Sequence, residues 1–332
     1  MSEMRWNPVL REWVVTATHR QDRTYKPPPD FCPLCPTETG AFPTEVPASD
    51  YQMVVFENKF PAFRRNAEVS DEKGTELYTV APAQGICEVV LYTPGHEGSL
   101  TDYPPSHIRK VIELWTDRYR ELGSYPFVKY VFIFENKGEV VGVTLHHPHG
   151  QIYAFPFVPP RIQTEIESDQ VHRERTGRCL FCDVVEEEMM DGRRVILQTE
   201  AFAAVVPFYA RYPYEVHIFA RQHHSSLIEF TDNEKDELSH ILKGVLVKYD
   251  NLFNISFPYM MVLHQAPTDG GEVDFHFHIE FYPPMRSADK LKYLAGCESG
   301  AGTYVNDSNP EEKAVELKNC APHSVEEIED ER

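Results

Sequence analysis

Thr144-Leu145-His146-His147-Pro148-His149-Gly150-Gln151-Ile152-Tyr153 places three histidines within four positions, with a proline and a glycine among them. Pro148 fixes its own φ and pushes His147 toward extended backbone. In an extended run side chains alternate, so His147, His149 and Gln151 share a face. Gly150 lacks a Cβ, which opens the backbone there to a bulky anion. The two imidazoles flanking the proline divide their work in one of three ways. One binds a metal while the other keeps a ring nitrogen as nucleophile or base, or both bind metal, or both are surface groups.

Working outward, Val128 to Phe134 is rich in strand formers and ends in Glu135-Asn136-Lys137-Gly138. Before it, Ile108, Val111, Ile112, Trp115, Tyr119 and Leu122 fall at helical spacing, with Gly123 placed as a C-cap, which predicts a helix over 106–122. Strands are expected at Tyr51–Phe56 and Glu88–Tyr92. The second half repeats this order. Cys179-Leu180-Phe181-Cys182 echoes Cys32-Pro33-Leu34-Cys35, and Val216–Ala220 followed by His223 echoes Val89–Tyr92 followed by His96. A second helix starts at Thr231 with Glu234 three residues on, a capping box. Tyr259–Leu263 is the matching strand, and His276-Phe277-His278 stands where His147-Pro148-His149 stood. His96 and His147 are 51 residues apart, and His223 and His276 are 53 apart. Four echoes in one order predict a duplicated α+β unit. The expected divisions are 1–175, 176–318 and an acidic, solvated tail over 319–332, with a short helix at Glu311–Leu317.

The chain has 332 residues, 42% hydrophobic and 25% charged, with 20 Phe and 17 Tyr, which is enough for a substantial core. Its formal net charge of −20 argues against nucleic acid and anionic membrane as partners. An anionic substrate therefore needs a local cluster of Arg, Lys and backbone N–H groups. Early charges at Glu3, Arg5, Arg11 and Glu12, and no apolar run long enough to span a bilayer, predict a cytoplasmic protein. Seven cysteines, four of them in two C-x-x-C pairs, favour metal thiolates over disulfides.

C-x-x-C with two distant histidines is a structural zinc pattern, closed and tetrahedral. The first half offers Cys32, Cys35, His96 and His147. By symmetry the second offers Cys179, Cys182, His223 and His276. A competing second site is Glu165, His264, His278 and Glu280, with mixed N and O donors suited to zinc or iron.

With these motifs in hand, the chain resembles the galactose-1-phosphate uridylyltransferases, a branch of the histidine-triad superfamily. The resemblance rests on His147 to Gln151, Phe134-Glu135-Asn136-Lys137-Gly138, Phe281-Tyr282-Pro283-Pro284 with Arg286-Ser287-Ala288, and Cys32 to Cys35 with His96. It implies two histidine-triad-like halves joined in a mostly antiparallel sheet with outer helices, working as a homodimer with shared active sites. It also implies double displacement. His149 attacks the α-phosphorus of UDP-glucose, glucose 1-phosphate leaves, and galactose 1-phosphate collects the uridylyl group. Gln151 is implied at the non-bridging phosphate oxygens, Asn136, Gly142 and Thr144 around the diphosphate, and Asn58 at the uridine. Arg20 and Arg23 are implied at phosphate, and Lys292 and Glu298 at the hexose across the dimer interface.

The chain departs from the family pattern in four places. Thr144 replaces a serine, Glu280 a metal-ligand histidine, Cys297 a tyrosine near the hexose, and Tyr304 a glutamine near the sugar. The second C-x-x-C resembles the ADP-glucose phosphorylases, which makes a phosphorylase acting on ADP-glucose or a dinucleoside polyphosphate the alternative enzyme. A zinc-stabilised nucleotide-sugar binding protein is the alternative without turnover.

Overall fold

The computed structural model describes residues 2–22, 28, 31–38, 42–48, 50–69, 71–271 and 274–328. In chain order the strands are β1 (Ser2–Asn7), β2 (Glu12–Ala17), β3 (Val54–Glu57), β4 (Val80–Pro82), β5 (Ile86–Leu91), β6 (Tyr130–Lys137), β7 (His149–Phe155), β8 (Val195–Gln198), β9 (Phe202–Val205), β10 (Val216–Ala220), β11 (Tyr259–His264), β12 (His278–Phe281), β13 (Met285–Ser287) and β14 (Lys290–Leu291). The helices are α1 (Pro105–Gly123), α2 (Pro160–Thr176), α3 (Leu180–Asp191), α4 (Asp232–Phe253), α5 (Gly296–Ala301) and α6 (Pro310–Lys318).

Nine strands form one antiparallel sheet in the order β3-β5-β7-β6-β11-β12-β10-β9-β8. That order is a palindrome of the duplication. Outward from the central β6–β11 pair, β7 corresponds to β12, β5 to β10, and β3 to β9. The β6–β11 ladder, with Phe134 opposite Val262 and Glu135 opposite Met261, joins the halves into one sheet.

In β7 burial alternates residue by residue, as the period of a strand with one covered face requires. Ile152 and Ala154 lie under α1 and α4, in a core with Trp115, Tyr119, Leu242 and Tyr249. His149, Gln151 and Tyr153 point to the other face. The strand begins at His149, so His147 precedes it. The expected helical stripe is buried along α1. The capping box of α4 forms: the Glu234 N–H donates to Thr231 Oγ1 at 3.2 Å, and the Thr231 N–H to Glu234 Oε2 at 2.8 Å.

Two local expectations change. Gly123 is the last residue of α1 and not a left-handed cap. A Cβ there would meet Thr268 Cγ2 at 2.8 Å, so close packing requires the glycine. The tail expected to be solvated from 319 is packed as far as 328. The buried Lys248 ammonium donates to the carbonyls of Leu317 and Cys320, at 3.0 and 2.8 Å, Asn251 holds the carbonyl of Ala321, and Val325 rests on the core. An acidic composition does not preclude this, because the contacts use backbone carbonyls and the two apolar residues among the charges. No helix of the described residues is long and apolar enough to cross a membrane.

Candidate active site

The two histidines around Pro148 are turned to different tasks by their outer nitrogens. His147 is fully buried, and its Nε2–H donates to the Thr93 carbonyl at 2.8 Å, leaving Nδ1 3.6 Å from the Cys35 sulfur. Burial, first, holds its pKa below the usual imidazole value, which keeps the ring neutral as a ligand must be. His149 Nδ1–H donates to the carbonyl of His147 at 2.7 Å, which places that ring's lone pair on Nε2. The orienting carbonyl is therefore that of the neighbouring histidine.

His149 borders three cavities. One of about 240 Å³ is lined by Arg20, Asn136, Gly142, Thr144 and Gln151. A second of about 250 Å³ contains Asn58 among Phe31, Leu34, Phe60 and Val89, and reaches Thr144 and Gln151. The third, about 740 Å³, lies between the 138–148 segment and the end of α4. Arg20 sits on a short 3-10 turn (Thr18–Asp22), and its guanidinium donates to the Tyr153 hydroxyl at 3.4 Å. Arg23 lies outside the described residues. Six residues expected at nucleotide or phosphate thus converge on His149. Lys292 and Glu298 do not line these cavities. They pair with each other at 3.2 Å, and the Lys292 ammonium also donates to the Val305 carbonyl at 2.5 Å. Backbone N–H groups at the start of α5, foremost Ala295, and then the Lys292 ammonium, lower the Glu298 carboxyl to about 2.

Gly150 serves a purpose other than the anion approach expected of it. Its missing Cβ would stand 2.1 Å from the Tyr92 hydroxyl, which fills that space from β5's end. Next to Tyr92, Glu135 is a residue the sequence did not single out. Burial pushes its carboxyl up to about 7, opposed by the hydrogen bond from Tyr259. Tyr259 donates to its Oε1 at 2.8 Å.

All three expected metal clusters assemble, each with donor atoms within 4.8 Å of one another. Cys35 Sγ lies 3.5 Å from His96 Nδ1 and 3.6 Å from His147 Nδ1, while Cys182 Sγ lies 3.6 Å from His223 Nδ1 and 3.5 Å from His276 Nδ1. A tetrahedral zinc with ordinary Zn–S and Zn–N bonds needs an S···N edge of about 3.6 Å. Both Cys₂His₂ sets fit it. Burial, then the neighbouring Cys32, pushes the Cys35 thiol up to about 12, and a divalent cation would favour the thiolate there. Both candidate second sites bring their donor atoms together. His276 joins the cysteines, while His278, two residues on, joins Glu165, His264 and Glu280.

The halves can now be matched atom by atom. His276 Nε2–H donates to Ala220 O at 2.7 Å, as His147 does to Thr93 O, and His278 Nδ1–H donates to His276 O at 2.9 Å, as His149 does to His147 O. Glu280 replaces Gln151. His278 is buried, and its Nε2 faces Glu280 Oε1 at 3.6 Å. Burial alone would lower its pKa, but Glu280 and Glu165 outweigh that and raise it. His217 and Arg211 close the pocket from the side, 3.3 Å from either oxygen of Glu280. His278 is thus buried, whereas His149 is half-buried beside open space.

A family model of the galactose-1-phosphate uridyl transferase N-terminal domain matches residues 1–159, and one of its C-terminal domain matches 163–329. The chain belongs to the galactose-1-phosphate uridylyltransferase family. It is 44% identical to the galactose-1-phosphate uridylyltransferase of Thermotoga maritima over 96% of this chain and 98% of that one. To the enzyme of that name from Streptomyces lividans it is 37% identical, over 96% and 87%. A solved uridylyltransferase structure superposes with a TM-score of 0.85 at 35% identity, covering 95% of this chain and 97% of the other.

Proposed function

We propose that the protein transfers a uridylyl group from UDP-glucose to galactose 1-phosphate through a covalent intermediate on His149. The observation that carries this reading is the His149 Nδ1–H···O=C contact to His147 beside the Arg20–Gln151 cavity. Nε2 attacks the α-phosphorus with its lone pair, forming an N–P bond as the bond to the departing glucose 1-phosphate oxygen breaks with its electron pair. The ring becomes cationic, and the His147 carbonyl on Nδ1–H stabilises that charge. A phosphate oxygen of galactose 1-phosphate then attacks the same phosphorus. The N–P pair returns to Nε2, and UDP-galactose leaves. Neutral imidazole attacks without a strong base, and its phosphoramidate is reactive enough to be passed on.

The Gln151 amide is suited to donate to the non-bridging oxygens, with Thr144, Gly142 and Asn136 around the diphosphate. Arg20, with Arg23, supplies the positive charge an acidic chain needs at a dianionic sugar phosphate. Asn58, set among apolar side chains, suits a uracil ring with polar edges. Zinc is assigned to both Cys₂His₂ sets, where a closed shell gives it a structural role. It would hold His147, and through that residue's carbonyl the position of His149. The Glu165, His264, His278, Glu280 set would take a further ion with mixed donors. Lys292 and Glu298 lie away from the His149 cavities of their own chain, which supports a homodimer in which they serve the partner's hexose. We place the enzyme in the cytoplasm, the location that the early charges Glu3, Arg5, Arg11 and Glu12 predict.

Intact mass spectrometry after mixing with UDP-glucose or ADP-glucose tests the reading. We expect a uridylyl adduct on wild type and none on His149→Ala. An adenylyl adduct alone would transfer the assignment to an ADP-glucose phosphorylase, and no adduct with either donor would leave a binding protein.

A further inference from the structure

The two Cys₂His₂ sets share their ligands and differ in what stands behind them. In each, one histidine is buried and fixed by a backbone carbonyl, and the other is part-exposed. The part-exposed ring is the ligand that must swing away first for an ion to leave. In the first set that ring is His96. Its Nε2 is 3.9 Å from a Glu97 carboxylate that is 94% exposed, beyond hydrogen-bond reach. In the second set it is His223, whose Nε2–H donates to Asp274 Oδ1 at 2.6 Å.

Asp274 does not act alone. Its Oδ2 receives Arg173 Nη1 at 2.7 Å, and Arg173 Nε donates to Asp169 Oδ2 at 2.5 Å. Asp169 is buried, and its Oδ1 accepts the backbone N–H of Leu180 at 2.7 Å, the residue following Cys179. A chain of charge-assisted hydrogen bonds therefore leaves one ligand, crosses α2, and returns to the turn that carries the other two. Arg173 Nη2 is buried with no hydrogen-bond partner. Its charge helps draw the Cys182 thiol below its usual range, after the larger effect of the Cys179 hydrogen bond. At the first set the nearby charge has the opposite sign, since Glu38 adds to the upward push on Cys35.

We propose that Arg173 and Asp274 are positioning residues that lock the second Cys₂His₂ site, so that its ion leaves much more slowly than the ion of the first. A departing His223 must break its 2.6 Å hydrogen bond to the half-exposed Asp274, itself held by Arg173, as well as a metal bond. Among the described residues no hydrogen bond holds His96 from behind, so it breaks the metal bond alone. This rests on the reading that both sets hold metal.

The test uses the full chain loaded with cobalt(II), whose thiolate charge-transfer absorption reports only the cysteine-bound ions and ignores the carboxylate cluster. In excess EDTA we expect that absorption to decay in two phases of similar amplitude. Asp274→Ala and Arg173→Met should speed the slow phase by about 10–100-fold and leave the fast phase unchanged. Arg173→Lys should recover part of the loss. The fast phase is the internal control for folding, and Asp274→Asn, of the same shape, repeats the measurement if the alanine variant fails it. Wild-type decay in one phase, or variants that speed the fast phase, would overturn the relay alone. No thiolate–cobalt absorption at all would overturn the metal assignment and the relay together.

Discussion

The carbonyl of His147 accepts the Nδ1–H of His149 at 2.7 Å, while the ring of the same His147 turns its Nδ1 toward Cys35 at 3.6 Å. One residue thus joins a group of donors that could hold a metal through its side chain and the proposed reaction cleft through its backbone. The second half builds the same pair at His276 and His278 and then closes it with carboxylates.

That double role separates the two cysteine clusters functionally. Cys35→Ser loosens the ligand set containing His147, so the carbonyl that fixes the His149 tautomer moves. Cys182→Ser loosens the set containing His276, whose carbonyl serves a buried ring with no cleft. We expect Cys35→Ser to slow formation of the uridylyl adduct by about 10-fold or more, and Cys182→Ser to lower the melting temperature with a smaller effect on that rate. Stopped adduct formation followed by mass gives the comparison, and equal slowing in both variants would refute the separation.

Gly150 offers a steric test. Adding a Cβ drives it into the Tyr92 hydroxyl, 2.1 Å away, in a buried part of the sheet. Gly150→Ala should cost about 1–3 kcal/mol of stability and displace the adjacent His149. Removing the oxygen in Gly150→Ala with Tyr92→Phe should restore much of the loss. A double-mutant cycle in denaturant measures the coupling, and strictly additive effects would contradict the contact.

What the sequence conveyed and withheld follows from the range of the interactions. The His147–Gln151 run and its echo at His276–Glu280 are local, so the duplication and the Cys/His groups that the fold brings together were legible. Tyr92 behind Gly150 was not, because a close approach between β5 and β7 leaves no mark on either segment except a glycine that reads equally well as an anion site. Helix α2 carried no readable period, since only Ile162 and Asp169 are buried along it. Asp169, Arg173 and Asp274 look like surface charges in sequence, and only folding shows that they connect two ligands. The choice between the second cysteine cluster and the carboxylate cluster looked exclusive because residues two apart in an extended run share a face, whereas β12 begins only at His278 and His276, ahead of it, turns to the cysteines.

Glu135 makes stability depend on pH. Its carboxyl moves from an ordinary 4.5 up to about 7 because it is buried. Below about 4.5 both folded and unfolded chains hold the proton. Between about 4.5 and about 7 the folded chain keeps it and the unfolded chain releases it, so stability from this group falls as pH rises through that window. The loss is complete above about 7, amounting to about 3 kcal/mol at most. Comparing denaturant unfolding at pH 5 and pH 8, wild type should lose this amount relative to Glu135→Gln, which cannot ionise. Parallel pH dependence in the two proteins would remove the titration from Glu135.

Gln151 and its counterpart Glu280 occupy the same place in the two halves but meet different neighbours. Across the adjacent strand Gln151 faces Val89, which borders the cleft, while Glu280 faces His217, which fills the corresponding space with a cation-forming ring. An amide donates to phosphate oxygens, whereas a carboxylate repels them and calls for histidine, arginine or metal around it. Gln151→Ala should therefore slow uridylylation of His149 by about 100-fold, the loss of one oriented donor. Gln151→Glu should slow it further, although the side chain is of equal size, because the phosphorus would be approached past a like charge. Single-turnover adduct formation at pH 8 measures both. If Gln151→Glu proved as active as Gln151→Ala or more so, charge at this position would not be what distinguishes the open half from the closed one.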